Sequence, residues 1–472
     1  MKIYFVNPPS PDPKTGMVRE GRCMQTTGNW LSLWPPYSLC LSAAVLERIS
    51  ISTKVADCIA QNLTNSQLEQ QLRDYAPDAV VINTASPSIE NDIYVARLAK
   101  KINPAILTLA IGIHPTALPD QCLRLEPALD IIIRGEIEKT LEELFRLLNQ
   151  GKSWKNIQGI SYRKGNSIIH NTDRPFLKNL DWLPYPAWEK VDPADYKLPF
   201  SNKPYLLLGT ARGCPYHCSF CYSQSYYGSS LRYRSPKKVV DEVEYVKKRF
   251  RITEFLIWTE SFTHNKKYCE QICDEIIRRK LGIRFVCNSR VDTVDFKLLQ
   301  KLRQAGCWMI AYGLESGNQT LLDRIEKGIT LSQSTEACRL THQLGMIVVG
   351  HFILGLPGET PETIKRTIRF AKKQKIDIAQ FYLLVPMPWK PLYQELKAKG
   401  HIVTDDLHRY TQSTAVIRTE KLTSKQLERW RRIAYISFFA RPVHLLKLIR
   451  KLGGLRKLIL SNLGDYLRWV FR

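Results

Sequence analysis

The segment Gly213-Cys214-Pro215-Tyr216-His217-Cys218-Ser219-Phe220-Cys221-Tyr222 sets three thiols within eight residues, at C-x3-C-x2-C spacing. Glycine and proline beside them let the backbone wrap a bound group. Three is the informative number: four cysteines enclose an iron-sulfur cluster as an electron carrier, whereas three leave one iron open to a further ligand. Zinc is the competing reading, but it draws four ligands in two paired sets, and the chain has no second C-x2-C. Cys269 and Cys273 repeat the x3 spacing inside an apparent helix without a third partner, and read as buried thiols.

Downstream of the loop the sequence alternates strand and helix. Strands are expected near Tyr205–Gly209, Glu254–Trp258, Ile283–Cys287, Met309–Tyr312, Ile347–Ile353 and Ile378–Val385, with helices such as Lys237–Phe250 and Thr330–Gln343 between them. Six such strands suggest a partial barrel, and in parallel barrels chemistry is built at the carboxyl ends of strands. The cysteine loop follows the first of them. Upstream the same rhythm appears in a strand at Lys2–Val6, a helix at Pro36–Arg48, strands at Ala79–Asn83, Ile106–Ile111 and Asp130–Ile133, and helices at Asn91–Ile102 and Ile137–Leu148. That pattern implies a parallel sheet with helices on both faces and ligands beyond its carboxyl ends, where Asn83-Thr84-Ala85, Gly112-Ile113-His114-Pro115 and Arg134-Gly135-Glu136 fall. Gly159 to His170 reads as a small hairpin, and the Pro-rich Leu183 to Trp188 as part of a linker.

The bulk properties agree with a folded, multidomain chain. It has 472 residues, 44% hydrophobic, with 69 Lys and Arg against 44 Asp and Glu, a formal charge of +25. That charge favours an anionic partner of some kind. Neither a secretory leader nor an apolar run of roughly 18–20 residues is visible, so a cytoplasmic location is expected. There the twelve cysteines point away from a disulfide framework and towards metal or redox chemistry at the tight cluster.

The cysteine loop resembles that of the radical S-adenosylmethionine (SAM) superfamily. Asn288-Ser289-Arg290-Val291-Asp292, Ala305-Gly306-Cys307, Gly313-Leu314-Glu315-Ser316-Gly317 and Gly355-Leu356-Pro357-Gly358-Glu359-Thr360 resemble its successive strand-end motifs, in the right order. The resemblance implies a 4Fe-4S cluster on Cys214, Cys218 and Cys221, with SAM on the open iron and reductive cleavage to a 5′-deoxyadenosyl radical. Phe220 is expected beside the cluster. Glu260 can accept from the SAM amino group, Arg290 can pair with its carboxylate, Glu315 can accept from the ribose hydroxyls, and the backbone near Ile353, Leu354 and Gly355 can hold the adenine edge.

Phe5-Val6-Asn7-Pro8-Pro9, Pro77-Asp78-Ala79-Val80-Val81, Gly112-Ile113-His114-Pro115-Thr116, Arg134-Gly135-Glu136-Ile137-Glu138 and Leu183-Pro184-Tyr185-Pro186 resemble the cobalamin-binding domain of one branch of that superfamily. No Asp-x-His-x-x-Gly precedes residue 200, so His114 is not assigned as a cobalt ligand. Ile111 and Ile137 stand where that branch usually has glycine. The two resemblances cover residues 1 to about 400 and imply an α/β chain: an N-terminal Rossmann-like, doubly wound parallel sheet at 1–170, a linker at 171–204 and a partial (β/α)6 radical SAM barrel at 205–400; the residues themselves read as a basic helical region at 401–472.

Methylation of an unactivated carbon in a secondary-metabolite or lipid-like substrate is the implied reaction, with a flavodoxin or ferredoxin as reductant. The same parts also serve oxidative cyclisation or rearrangement. A tRNA methylthiotransferase would need a second cluster on three N-terminal cysteines, and Cys23, Cys40, Cys58 and Cys122 are scattered. A simple iron-sulfur electron carrier would not need the SAM-like segments. From Lys425 to Arg472 the chain holds twelve Lys and Arg against two acids, interleaved with Trp430, Tyr435, Phe438, Leu446, Leu458, Trp469 and Phe471. Such amphipathic helices suit either an anionic membrane surface at its inner face or packing on the barrel. Nucleic acid is the weaker alternative, since no RNA-binding module is visible.

Overall fold

The computed structural model describes residues 1–12, 16–21, 23–26, 33–198 and 201–451. They form two compact units, one comprising Met1–Tyr196 with Tyr222–Gly228, the other Lys197–Cys221 with the chain from Ser229 onward.

The first unit contains β1 (Lys2–Asn7), β2 (Met17–Glu20), β3 (Cys23–Thr26), β4 (Ser52–Asp57), β5 (Ala79–Asn83), β6 (Leu107–Ile111), β7 (Ile131–Ile133), β8 (Ile160–Lys164) and β9 (Ser167–His170). The main sheet runs β4-β1-β5-β6-β7-β8-β9. It is parallel through β7, and β8 and β9 join antiparallel. The expected all-parallel sheet is therefore mixed: the hairpin covers the edge of the short strand β7, whose backbone groups would otherwise lie open. β4 escaped the sequence reading because it is an edge strand with an exposed Ser52 and a half-buried Lys54, not a continuous apolar run. The stretch read as a linker is largely part of this unit. Trp188 is fully buried, and the Tyr196 hydroxyl donates to Asp57 at 2.8 Å.

Strand order reverses at β1, which lies between β4 and β5, and the crevice outside their carboxyl ends is where such sheets take ligands. Arg19, from β2, braces that point with a side chain wholly excluded from solvent. Its guanidinium clamps Asp92 at 2.7 and 3.0 Å and donates to Asn7 Oδ1 and Pro8 O, while Asn83 Nδ2 donates to Arg19 O at 2.7 Å. Burying a charge this deeply is tolerable only with every donor directed.

The second unit contains β10 (Tyr205–Gly209), β11 (Ala211–Arg212), β12 (Arg232–Tyr233), β13 (Glu254–Trp258), β14 (Arg284–Ser289), β15 (Cys307–Glu315), β16 (Ile347–Leu354) and β17 (Ile378–Leu383). Six of these pair in sequential order β10-β13-β14-β15-β16-β17, all parallel, as a partial barrel requires. The intervening helices begin where local chemistry demands: Ser235 caps Pro236–Phe250, and Thr330 with Gln333 forms a capping box for Leu331–Gln343.

The tail divides. Helix Ser424–Phe439 buries Leu427, Arg431, Ala434, Tyr435 and Phe438. It closes the outer edge of β17: Phe381 N donates to Tyr435 Oη at 2.9 Å and Arg431 Nε donates to Phe381 O at 3.1 Å. Helix Pro442–Lys451 buries only Leu448. The sequence expectations for Leu458, Trp469 and Phe471 lie outside the described residues.

Candidate active site

The cysteine loop leaves β10 through the two-stranded pair β11–β12, which brackets it at its base. Gly213 sits at φ 91°, a left-handed conformation that a side chain would oppose. Cys221 N donates to Cys218 O at 3.0 Å, folding the C-x2-C half into a tight turn, and Ser219 N donates to Ile325 O at 3.1 Å. Cys218 is 9% exposed, and Cys214 and Cys221 are half-buried. Among the described residues no group of three or more His, Cys, Asp or Glu converges into a metal-holding set. The three thiols thus share one loop at the expected strand end without closing into a ligand triangle.

Arg290 follows β14 and is buried. Its Nε and Nη2 grip Asp292 at 2.9 and 3.0 Å, and Nη2 also donates to Lys327 O at 2.8 Å. Its guanidinium lies 3.5 Å over the Tyr216 ring, and Nη1 points at Cys218 Sγ, 4.0 Å away. Burial alone would lower its pKa; the Asp292 pairing outweighs that and raises it. Nη1 is the one terminal nitrogen of Arg290 not directed at Asp292. Glu260 lies just past β13, half-buried between Thr259 and Ser261.

Glu315 ends β15 at φ 59°, just past a register shift against β16. Its Oε1 takes a 2.5 Å salt bridge from Lys327, and both side chains are under a tenth exposed. Lys327 Nζ also lies 5.8 Å from the Phe220 ring centre. Sequence reasoning missed Lys327, because nothing in Glu326-Lys327-Gly328 marks it as turned inward.

Ile353 is half-buried in β16. Gly355, at φ 89°, and Leu356 both donate their amides to Glu359 Oε2. Of the backbone expected to hold an adenine edge, the Gly355 N–H is thus turned to an interior carboxylate, a residue not assigned a role from the sequence.

Buried polar atoms are normally satisfied, so those that are not mark places needing a partner. Among the described residues of this unit, Thr210 Oγ1, Thr259 Oγ1, Ser261 Oγ and Glu359 Oε1 are buried without a hydrogen bond at strand ends, as are carboxylate oxygens of Glu242 and Glu254 away from them; the first four are the ones that bear on the site. They fall just past the carboxyl ends of β10, β13 and β16. A polar cosubstrate beyond these strands fits that distribution, and the cysteine loop and Glu260 belong to the same strand ends.

In the first unit His114 is fully buried. Its Nδ1 meets Ser86 Oγ at 3.0 Å, and burial pushes its pKa down to about 4, so the ring is neutral and inside the protein. Ile111 and Ile137 are buried too, and their bulk goes into packing. Gly112 does meet a close approach: a Cβ there would stand 2.8 Å from Thr84 O. Cys40, Cys58 and Cys122 are buried thiols whose pKa values burial raises; the side chain of Cys23 lies outside the described residues.

Comparison with known proteins matches residues 208–371 to the radical SAM superfamily and residues 27–145 to the B12 binding domain. An uncharacterized methyltransferase of Pyrococcus horikoshii is 34% identical over 448 residues, spanning 95% of this chain and 94% of that protein. An anaerobic magnesium-protoporphyrin IX monomethyl ester cyclase of Rubrivivax gelatinosus is 30% identical, spanning 95% and 80%. Among solved structures, the cobalamin-dependent SAM radical enzyme OxsB with aqua-cobalamin and SAM bound superposes with a TM-score of 0.74 at 18% identity, over 100% of this chain and 72% of that one.

Proposed function

Because the chain belongs to the radical SAM superfamily, in the branch with an N-terminal cobalamin-binding domain, we propose that it methylates an unactivated carbon of a hydrophobic small molecule, a secondary metabolite or lipid-like compound. The supporting observation is the conjunction, in one chain, of a cysteine loop past β10 with a switch-point sheet of cobalamin type. A bound cluster would supply the electron that starts radical chemistry on SAM, and bound cobalamin would supply a carrier for the methyl group. Cys214, Cys218 and Cys221 would hold the cluster, with Phe220 beside it. Glu260 would receive the SAM amino group, Arg290 Nη1 its carboxylate and Glu315 the ribose, and the Ile353–Gly355 strand end would hold the adenine through backbone groups other than the Gly355 N–H, which Glu359 takes. An external reductant is required, and a flavodoxin or ferredoxin suits it.

Anaerobic reconstitution should load about four irons per chain, and Cys218→Ala should abolish SAM cleavage. Cleavage at the wild-type rate in that variant would remove the cluster assignment. Purified protein should also retain hydroxocobalamin under reducing conditions, and failure to do so would remove the methyl carrier. Similarity to the cyclase favours a second reading, oxidative cyclisation. Methyl-labelled SAM separates the two, since only methylation leaves label in the product.

The tail supports a finer placement. No described helix is long and apolar enough to cross a membrane. Helix Pro442–Lys451, however, exposes Val443 by 66%, Leu445 by 39% and Leu446 by 56%. The sequence from Arg429 to Gly464 contains no acidic residue. An apolar face beside the solvent-facing Lys447 and Arg450 suits an anionic lipid surface, while Lys451 is paired with Asp377 at 2.7 Å. The full chain should float with phosphatidylglycerol vesicles and not with phosphatidylcholine vesicles, and Val443→Asp with Leu446→Asp should lose flotation. Equal flotation of the two proteins would overturn the placement.

A further inference from the structure

Three costs meet at the Glu315–Lys327 pair. Two opposite charges are buried with side chains 7% and 8% exposed, and the desolvation of such a pair commonly matches or exceeds its attraction. Glu315 adopts φ 59°, which a non-glycine residue disfavours. Gly313 must lack a side chain, since a Cβ there would stand 2.4 Å from Glu315 Oε1 and 2.7 Å from Lys327 Nζ. Packing apolar residues at these positions would stabilise the fold as well or better, so stability does not account for the arrangement.

Position does. Glu315 is at the carboxyl end of β15, and Lys327 belongs to a short turn that touches the cysteine loop and β14. Ile325 O accepts from Ser219 N, Lys327 O accepts from Arg290 Nη2, and Lys327 Nζ lies over the Phe220 ring. Lys327 occupies Glu315 Oε1, while Oε2 accepts no hydrogen bond among the described residues. The lysine thus fixes the carboxylate rotamer and keeps the other oxygen available.

We infer that Lys327 is a positioning residue for SAM. It holds Glu315 with Oε2 presented to the ribose hydroxyls, and its turn ties that carboxylate to the cysteine loop, so that cosubstrate and cluster are held in one register. This rests on the reading of Glu315 as the ribose acceptor, and the experiment separates the two. In anaerobically reconstituted full-length protein, iron content and the electron paramagnetic resonance of the reduced cluster establish first that the cluster is present. Equilibrium dialysis then compares SAM with its 2′,3′-dideoxyribose analogue.

Glu315→Gln should lower the preference for SAM over the analogue by about tenfold, the usual scale for a charged hydrogen bond. Lys327→Met should do the same, Lys327→Arg should restore most of the preference, and Lys327→Met with Glu315→Gln should be no worse than either alone. An additive double variant, or a Lys327→Met protein that keeps wild-type preference while Glu315→Gln loses it, would overturn the inference and leave the ribose reading intact. Loss in neither single variant would remove the ribose reading itself. Lys327→Gln retains a donor without charge and serves if the methionine variant does not load iron; it should lose the preference, and wild-type preference there would equally overturn the inference.

Discussion

Glu359 treats its two oxygens unequally: Oε2 takes two backbone amides, and Oε1 is buried with none. Burial pushes its pKa from 4.5 up to about 8, against the pull of those amides. The native protein therefore keeps a proton that the unfolded chain has lost between these values. The stabilisation from that bound proton is whole below about pH 4.5 and declines as pH rises through 8. Glu359→Gln should reduce the fall in stability across this range by up to about 1.4 kcal/mol per pH unit. Glu20, also pushed up to about 8, should leave a second slope in place. Urea unfolding of both proteins over that range is the check, and an unaltered slope would mean that Glu359 is ionised in the fold. At this scale the sequence displays the cysteines openly, because ligand spacing is local. It hides Lys327, whose role depends on contacts with β15 and the cysteine loop that no local pattern records; Glu359 stands inside a quoted strand-end motif, but its turn back onto the Gly355 and Leu356 amides is not legible from the letters.

Helix Ser424–Phe439 shows what an amphipathic pattern leaves unsaid. Its apolar stripe is legible, but whether it faces lipid or protein depends on a strand more than forty residues upstream, and the structure seats it on β17 through Arg431 and Tyr435. Tyr435→Phe should strand the buried Phe381 N–H and cost about 1–3 kcal/mol, and Arg431→Met should cost less because it removes the charge together with the bond. Thermal unfolding measures both, and a Tyr435→Phe protein as stable as wild type would show that the strand edge is satisfied without the helix. The six strands of the second unit's parallel sheet are readable because each carries a compact apolar run followed by a polar turn. β4 and the β2–β3 hairpin are not: one is an edge strand with four of its six residues polar, and the other is short and held by the buried Arg19 clamp rather than by apolar patterning.

Across the whole chain, the two strand-helix series are evident from rhythm alone, and so is the break in character between them. The placement of Tyr222–Gly228 is not. This stretch follows the last cysteine directly, yet it is grouped with the first unit. Its helix Gln224–Tyr227 lies beside Ile113–Ala117, and Gly228 backs so closely onto Phe176 that a Cβ would stand 2.5 Å from the ring. The polypeptide consequently leaves the first unit after Tyr196, re-enters it after Cys221 and leaves again after Gly228. No single cut yields two covalently complete halves: severing at Tyr196 deprives the first of a piece encoded in the second, and severing after Gly228 removes the cysteines from their barrel. The two units can diverge in evolution by substitution, but a simple exchange of gene segments would break both.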